Sequence, residues 1–167
     1  MRAEASAPRA RQSGFFLIEA LVAILIFALG VLGLVALGGT AVASQSDAQY
    51  RTEAGNLADA IAGEMAMNID RTNEASRFPS LAKFSHQPGG VDCAFSGAVA
   101  TDPIVKGLVD RAANLPVGTI GLPGATDAMQ QVLVAPAGTF NRVEITLCWK
   151  TANDVVARKH KLVTYIN

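Results

Sequence analysis

The sequence predicts an α+β fold in which a long amino-terminal helix, membrane-spanning in its first half, packs on a small antiparallel sheet. The run from Phe15 to Leu37 is apolar apart from Glu19 and its glycines. At about 1.5 Å per residue, this run is long enough for a hydrocarbon core of about 30 Å. Residues 44–70 continue with apolar side chains at helical spacing, and the carboxyl-terminal part alternates as strands do. These observations predict one globular domain behind a membrane anchor.

Residues 1–14 precede the apolar run as a short polar and basic leader. Positively charged residues next to a span favour the cytoplasmic side of the membrane. The sequence therefore predicts a cytoplasmic leader at 1–14, a transmembrane helix at 15–43 and a domain on the far side of the membrane. The charged residues of the leader are Arg2, Glu4, Arg9 and Arg11.

Two other interpretations of this segment stay open. A secretory signal peptide also has a basic region and an apolar core, and Ala41-Val42-Ala43 fits a signal-peptidase site. A plain single-span anchor explains the length of the apolar run equally well. Neither interpretation explains Glu19, because an ionisable side chain in a span costs on the order of 3 kcal/mol at the helix centre and usually has a partner.

The second half of the helix is predicted over residues 44–70 as an amphipathic continuation. Its apolar residues form a single stripe, which is expected to pack on the chain's own domain. Residues 71–92 are rich in serine, proline, glycine and asparagine, which predicts a connecting loop. The stripe consists of Ala54, Leu57, Ala58, Ile61, Met65 and Ile69.

The globular domain, predicted over residues 71–167, contains one further helix and three strands by pattern. Asp102 and Pro103 form an N-cap and first-turn pair that starts a short amphipathic helix ending before Leu115. In the second strand, apolar residues alternate with polar ones and are expected to face the core. These core residues are Val143, Ile145, Leu147 and Trp149. The strands are expected at Gln131–Ala135, Arg142–Lys150 and Lys161–Ile166, with a turn at Pro136-Ala137-Gly138 between the first two.

The chain has two cysteines, Cys93 and Cys148. They are too far apart for a C-x-x-C redox motif and too few for a zinc site. In an exported domain an even pair predicts one disulfide, because that compartment is oxidising. The alternative is two unpaired thiols buried in a reduced core.

No pattern of catalytic or metal-binding residues is present. The formal net charge is zero and no extended basic tract occurs, so no direct contact with nucleic acid is predicted. The basic cluster at residues 158–161 is short and is interpreted as a solvated turn or strand edge. His86 and His160 stand alone, without a nucleophile or ligand spacing, and are expected at the surface. The sequence thus predicts a non-enzymatic protein with no cofactor and no metal.

The junction of leader and span, Gly14-Phe15-Phe16-Leu17-Ile18-Glu19, resembles the class III signal of the type IV pilin-like superfamily, which includes prepilins and type II secretion pseudopilins. The resemblance implies cleavage by a prepilin peptidase between Gly14 and Phe15, followed by N-methylation of Phe15. Glu19 then takes the family's assembly role, in which its carboxylate neutralises the terminal amine of a neighbouring subunit. The family's pilin-like fold agrees with the one predicted from the pattern.

Several later segments resemble the minor pilins called type IV pilus modification proteins (PilV). They are LADAIAGEMAMN, Leu115-Pro116-Val117-Gly118 and Cys148-Trp149. The resemblance implies a single-pass inner-membrane protein with a periplasmic carboxyl-terminal domain, later incorporated in a pilus and contributing to its assembly, to adhesion and to twitching motility. The implied partners are the lipid bilayer, the prepilin peptidase, other major and minor pilins and the inner-membrane assembly platform. The alternatives are a minor pseudopilin of the type II secretion system and a soluble periplasmic binding domain released after Ala43.

Overall fold

The computed structural model describes residues 13–114, 121–135 and 140–166. Residues 1–12 of the leader predicted at 1–14, the Leu115-Pro116-Val117-Gly118 segment and the Pro136-Ala137-Gly138 turn lie outside the described residues. The fold class is α+β, as predicted, and the chain divides into one compact unit ending at Ser46 and another starting at Asp47. The helices are α1 (Ser13–Asn68), α2 (Glu74–Ala82) and α3 (Pro103–Ala112), and a 3-10 turn lies at Asp127–Met129. The strands are β1 (Gly89–Val91), β2 (Ala94–Ser96), β3 (Gln130–Val134), β4 (Arg142–Trp149) and β5 (Arg158–Tyr165).

Helix α1 is one uninterrupted helix of 56 residues. It begins two residues before the expected start at Phe15 and ends at Asn68, close to the expected end. Four glycines in its first half do not break it, although each lowers helix propensity by about 1 kcal/mol relative to alanine. An added Cβ at any of these glycines would meet no neighbouring atom, so close packing does not explain them. They are Gly30, Gly33, Gly38 and Gly39.

The apolar stripe, which runs along the second half of α1 to Ile69 just past its end, packs in the core of the unit that starts at Asp47, as predicted. Its members are almost fully buried and belong to one cluster with the inward side chains of β4. The short helices add Leu81 and Val109 to the same cluster. The stripe is Ala54, Leu57, Ala58, Ile61, Met65 and Ile69, and its β4 neighbours are Val143, Ile145, Leu147 and Trp149. Hydrophobic burial thus joins helix and sheet into one core.

The main sheet is antiparallel with the strand order β3-β4-β5. Glu144 of β4 lies between Leu133 of β3 and Val163 of β5, which gives the register on both sides. Strand β5 begins at Arg158, three residues earlier than expected. The basic cluster at 158–161 therefore belongs to an edge strand, which is one of the two environments predicted for it.

The prediction of a connecting loop over residues 71–92 was wrong. Helix α2 lies within this segment, and the side chain of Asn73 caps it by accepting the Ser76 amide at 2.8 Å. Strand β1 follows and pairs with β2 in a hairpin. The composition is loop-like, and Pro79 even lies inside the helix. Burial of Leu81 and Phe84 against the core outweighs this weak helix propensity.

His86 is fully buried, which contradicts the expected surface position. Its Nδ1 accepts the Ala100 amide at 3.3 Å, and its Nε2 lies 3.5 Å from a carboxylate oxygen of Asp127. Burial lowers the pKa of this imidazole, while the Asp127 carboxylate opposes the shift. An isolated histidine in a sequence carries no signal of burial, so only packing could place it. His160 is half-buried, with its ring beside Gly55 of α1.

A network of ion pairs connects the loop between β4 and β5 to Asp47, the first residue of the second unit (residues 47–167). Asp154 accepts hydrogen bonds from the amide and hydroxyl of Thr151 at 2.9 and 2.7 Å. Arg158 donates to Asp154 at 2.7 Å and also contacts Asp47 on α1. The hydrogen bond from Arg158 is the main reason that the pKa of Asp154 falls to about 2.

We expect the Asp154→Asn variant to be less stable than the wild type at neutral pH. An unfolded aspartate has a pKa of about 4, so the folded state binds fewer protons between that value and about 2. The network's contribution is therefore fully present above pH ~4 and is lost as pH falls toward 2. Denaturant unfolding followed from pH 7 to pH 2 should show the difference between variant and wild type shrinking to zero. Asp59→Asn, at an exposed carboxylate of α1, serves as the control and should follow the wild type at every pH.

Candidate functional site: the amino-terminal part of α1

The first half of α1 exposes a continuous apolar surface. Among the described residues, it belongs to the one helix long and apolar enough to cross a membrane, with a mean hydropathy of 3.0 over its best 18 residues. None of that window is buried within the structure. Its large side chains include Phe15, Phe16, Leu17, Ile18, Leu21, Ile24, Leu25, Ile26, Phe27 and Leu29. A helix with apolar side chains on every face needs lipid or other helices around it.

The predicted cleavage junction lies in the first turn of this helix. Helix α1 begins at Ser13, so the peptide bond between Gly14 and Phe15 has helical backbone. The side chain of Phe15 is 78% exposed. The junction therefore lies at the described start of α1, beside an exposed side chain.

Glu19 follows Phe15 by one helical turn and lies on the same side of the helix. Its nearest neighbours at three- and four-residue spacing are Phe15, Phe16, Val22 and Ala23, which are all apolar. The Glu19 side chain is exposed and makes no hydrogen bond or ion pair with any described residue. A carboxylate in lipid is costly without a counter-charge.

The predicted disulfide is present between Cys93 and Cys148, whose Cα atoms are 5.8 Å apart. Cys93 occupies the two-residue turn of the β1–β2 hairpin with Asp92, and both residues have positive φ. Cys148 lies on the face of β4 that points away from α1. The bond therefore holds the hairpin over this outer face, where Thr146 and Gln131 are also buried. This cover explains why the carboxyl-terminal half of β4 is buried on both faces, although a one-sided core was expected.

A shallow groove of about 320 Å³ remains beside the hairpin. Its floor carries Glu144, which contacts Arg142 at 2.8 Å and Lys161 at 2.5 Å. In the described ranges, no group of three histidine, cysteine or acidic side chains comes together as metal ligands would. The non-enzymatic role stays a prediction.

Of the predicted site residues, Gly14, Phe15 and Glu19 share one end of α1, and the two cysteines meet in the second unit. The ion network of Asp47, Asp154 and Arg158 was not predicted. The four-residue spacing of Asp154 and Arg158 was its only local signal, since Asp47 is far away in sequence.

Comparison with known proteins found no matching family model, no matching curated protein and no matching solved structure. The layout itself, a long apolar amino-terminal helix and a small antiparallel sheet, is pilin-like.

Proposed function

We propose that the chain is a minor type IV pilin of the PilV kind, made as a prepilin. A prepilin peptidase cuts it between Gly14 and Phe15 and methylates the new terminus. The mature protein is held in the inner membrane by α1, and the assembly platform then adds it to a pilus beside other pilins, where it primes assembly and supports adhesion and twitching motility. The observation that carries this proposal is Glu19, an exposed carboxylate without a partner among the described residues, one turn after a Gly-Phe junction in an apolar helix.

The charge pair explains how subunits would find one register. After cleavage, the amine of Phe15 is a cation in apolar surroundings, and Glu19 is an anion in the same surroundings. Each charge is costly alone, because desolvated ions are stable only when they are paired in good geometry. Docking therefore favours the position at which the Glu19 carboxylate of one subunit meets the Phe15 amine of the next. Desolvated pairs of this kind give specificity more than raw affinity.

The continuity of α1 supports an anchor that is retained. The helix passes without a break through Ala41-Val42-Ala43 and on to the residues packed in the core. Release after Ala43 would cut a regular helix in its middle, whereas cleavage after Gly14 removes only the first two residues of the described helix. The secreted alternative instead expects a mature chain that is free of the membrane.

The test is the mass of the mature amino terminus, measured in host cells with and without the prepilin peptidase. We expect a methylated Phe15 terminus that appears only when the peptidase is present. A terminus at Ser44 would replace the proposal with an ordinary exported domain. A chain that keeps Met1 in both strains would leave only a simple membrane anchor.

A minor pseudopilin of the type II secretion system would share the same cleavage junction and the same pilin-like layout. Deletion of the coding sequence distinguishes the two systems. Loss of pili with intact secretion is the expected result for a minor pilin. Loss of secretion with intact pili would assign the chain to the secretion system.

A further inference from the structure

The outer edge of β5 offers backbone hydrogen-bonding groups in a regular row. In an antiparallel pair, alternate residues exchange both backbone bonds with the residue opposite. The Ile166 amide donates to Asn141 at 3.2 Å, and the Ala135 amide donates to Arg142 at 2.9 Å. In this hydrogen-bonding pattern, the backbone N–H and C=O groups of the even-numbered residues of β5 point toward β4. The backbone groups of Lys159, Lys161, Val163 and Tyr165 therefore point away from the sheet.

None of these four residues makes a backbone hydrogen bond with another part of the described chain. Their side chains all project from the outer face and are exposed, whereas the residues between them are half-buried. The eight residues of β5 are thus a long strand with one open edge. An edge of this kind is a template for adding a strand, and many recognition domains use it so.

The opposite edge of the sheet is engaged at its middle residue. The amide and carbonyl of Val132 in β3 exchange two bonds of 2.9 Å with His86. A second copy therefore cannot add its β3 edge to β5 without displacing this bridge.

A second copy is also a poor match for the open edge of β5. Its own β5 contains no acidic residue that could face Lys159 and Lys161. Because opposite charges across a strand pair stabilise it, the edge favours a strand from a different protein.

The charges on the edge define which partner fits. Strand β5 begins Arg158-Lys159-His160-Lys161 and contains no acidic residue. The single carboxylate of Glu144 pairs with both Arg142 and Lys161, so it balances only one of these two positive charges. The Lys159 ammonium lies 3.8 Å from Asp92, and both side chains are largely exposed, so this pair is weak. The first half of the edge therefore has excess positive charge, and the second half is apolar at Val163 and Tyr165.

We infer that the outer edge of β5 accepts an extended segment of another protein as an additional strand, with acidic side chains opposite Lys159 and Lys161 and apolar side chains opposite Val163 and Tyr165. Opposite charges directly across a strand pair stabilise it, and like charges destabilise it. Lysines on an edge strand also discourage uncontrolled pairing. Here they make pairing depend on the charge of the partner. This edge belongs to the unit that starts at Asp47 and does not depend on the proposed filament role.

The probe is a short peptide with threonine at every second position. The positions between the threonines hold Val, Val, Glu and Glu, so that an antiparallel pairing places them opposite Tyr165, Val163, Lys161 and Lys159 in turn. A second peptide with both glutamates replaced by lysine is its matched control. Amide exchange of the isotope-labelled full chain in detergent micelles is followed residue by residue. The glutamate peptide is expected to slow exchange at Lys161, Val163 and Tyr165, and the lysine peptide is expected to bind roughly tenfold more weakly.

The backbone claim has its own variant. Val163→Pro removes an amide that β4 does not use, so the strand pair within the sheet is retained. This variant should keep the buried Trp149 fluorescence of the wild type and lose binding of the glutamate peptide, while Val163→Ala should retain both. The inference would be overturned if millimolar glutamate peptide left amide exchange at these residues unchanged. It would also be overturned by equal binding of the two peptides, or by full binding of the glutamate peptide to a folded Val163→Pro variant.

Discussion

Reduction of the Cys93–Cys148 disulfide is expected to lower the free energy of unfolding of the second unit by about 4 kcal/mol. The bond joins residues 55 positions apart, and the chain-entropy relation gives this value for a loop of that length. With a urea dependence of about 2 kcal/mol per molar, the unfolding midpoint should fall by about 2 M. Trp149 is the single tryptophan and is fully buried, so its fluorescence reports the transition directly.

The hairpin turn provides a matched pair of variants for the same experiment. Cys93 has a φ of 64°, a left-handed conformation that costs a residue with a Cβ about 1 kcal/mol and costs glycine little. Cys93→Gly with Cys148→Ala should therefore be more stable than Cys93→Ala with Cys148→Ala by about 1 kcal/mol. The alanine variant should unfold near the midpoint of the reduced wild type, and the glycine variant about 0.5 M of urea above it. A loss below 1 kcal/mol on reduction would mean that packing alone holds the hairpin.

Replacement of Glu19 by alanine is expected to abolish incorporation into filaments while cleavage continues. The residue lies five positions after Gly14, beyond the junction that the peptidase must bind. In the proposed role its carboxylate offsets a desolvated amine at assembly, and removal of one partner from such a pair costs several kcal/mol. Filaments sheared from cells should therefore contain at least tenfold less of the variant, while the mass of its amino terminus stays that of the processed wild type.

Glu19→Gln is the matched control, because it keeps the shape of the side chain and removes only the charge. It should fail in assembly as the alanine variant does. Normal incorporation of either variant would refute the charge-pair role. Loss of cleavage in both variants would instead place Glu19 in recognition by the peptidase.

The sequence by itself determined the elements whose signal is local and periodic. The apolar run from Phe15 onward is marked by its unbroken length, whereas the stripe from Ala54 to Ile69 and the alternation in β4 each bury one face at a fixed repeat. Such patterns survive without tertiary information because the repeat of the backbone sets which side chains share a face. The helix start at Asp102 and Pro103 was also predicted correctly, since capping needs only neighbouring residues.

Only the tertiary structure decided features that depend on residues distant in sequence. Helix α2 forms in a loop-like segment because Leu81 and Phe84 are buried by the core. His86 is buried because its backbone pairs with Val132 of β3, and nothing in the sequence near either residue predicts this pairing.

The outer face of the sheet shows the same division. Alternation predicted a one-sided strand, but the hairpin held by Cys93 covers part of the second face and leaves the edge of β5 open. The pairing of the cysteines followed from their number. Which surface they cover and which edge stays free depend on long-range packing, because burial is a property of the neighbours that the fold brings together and not of the residue alone.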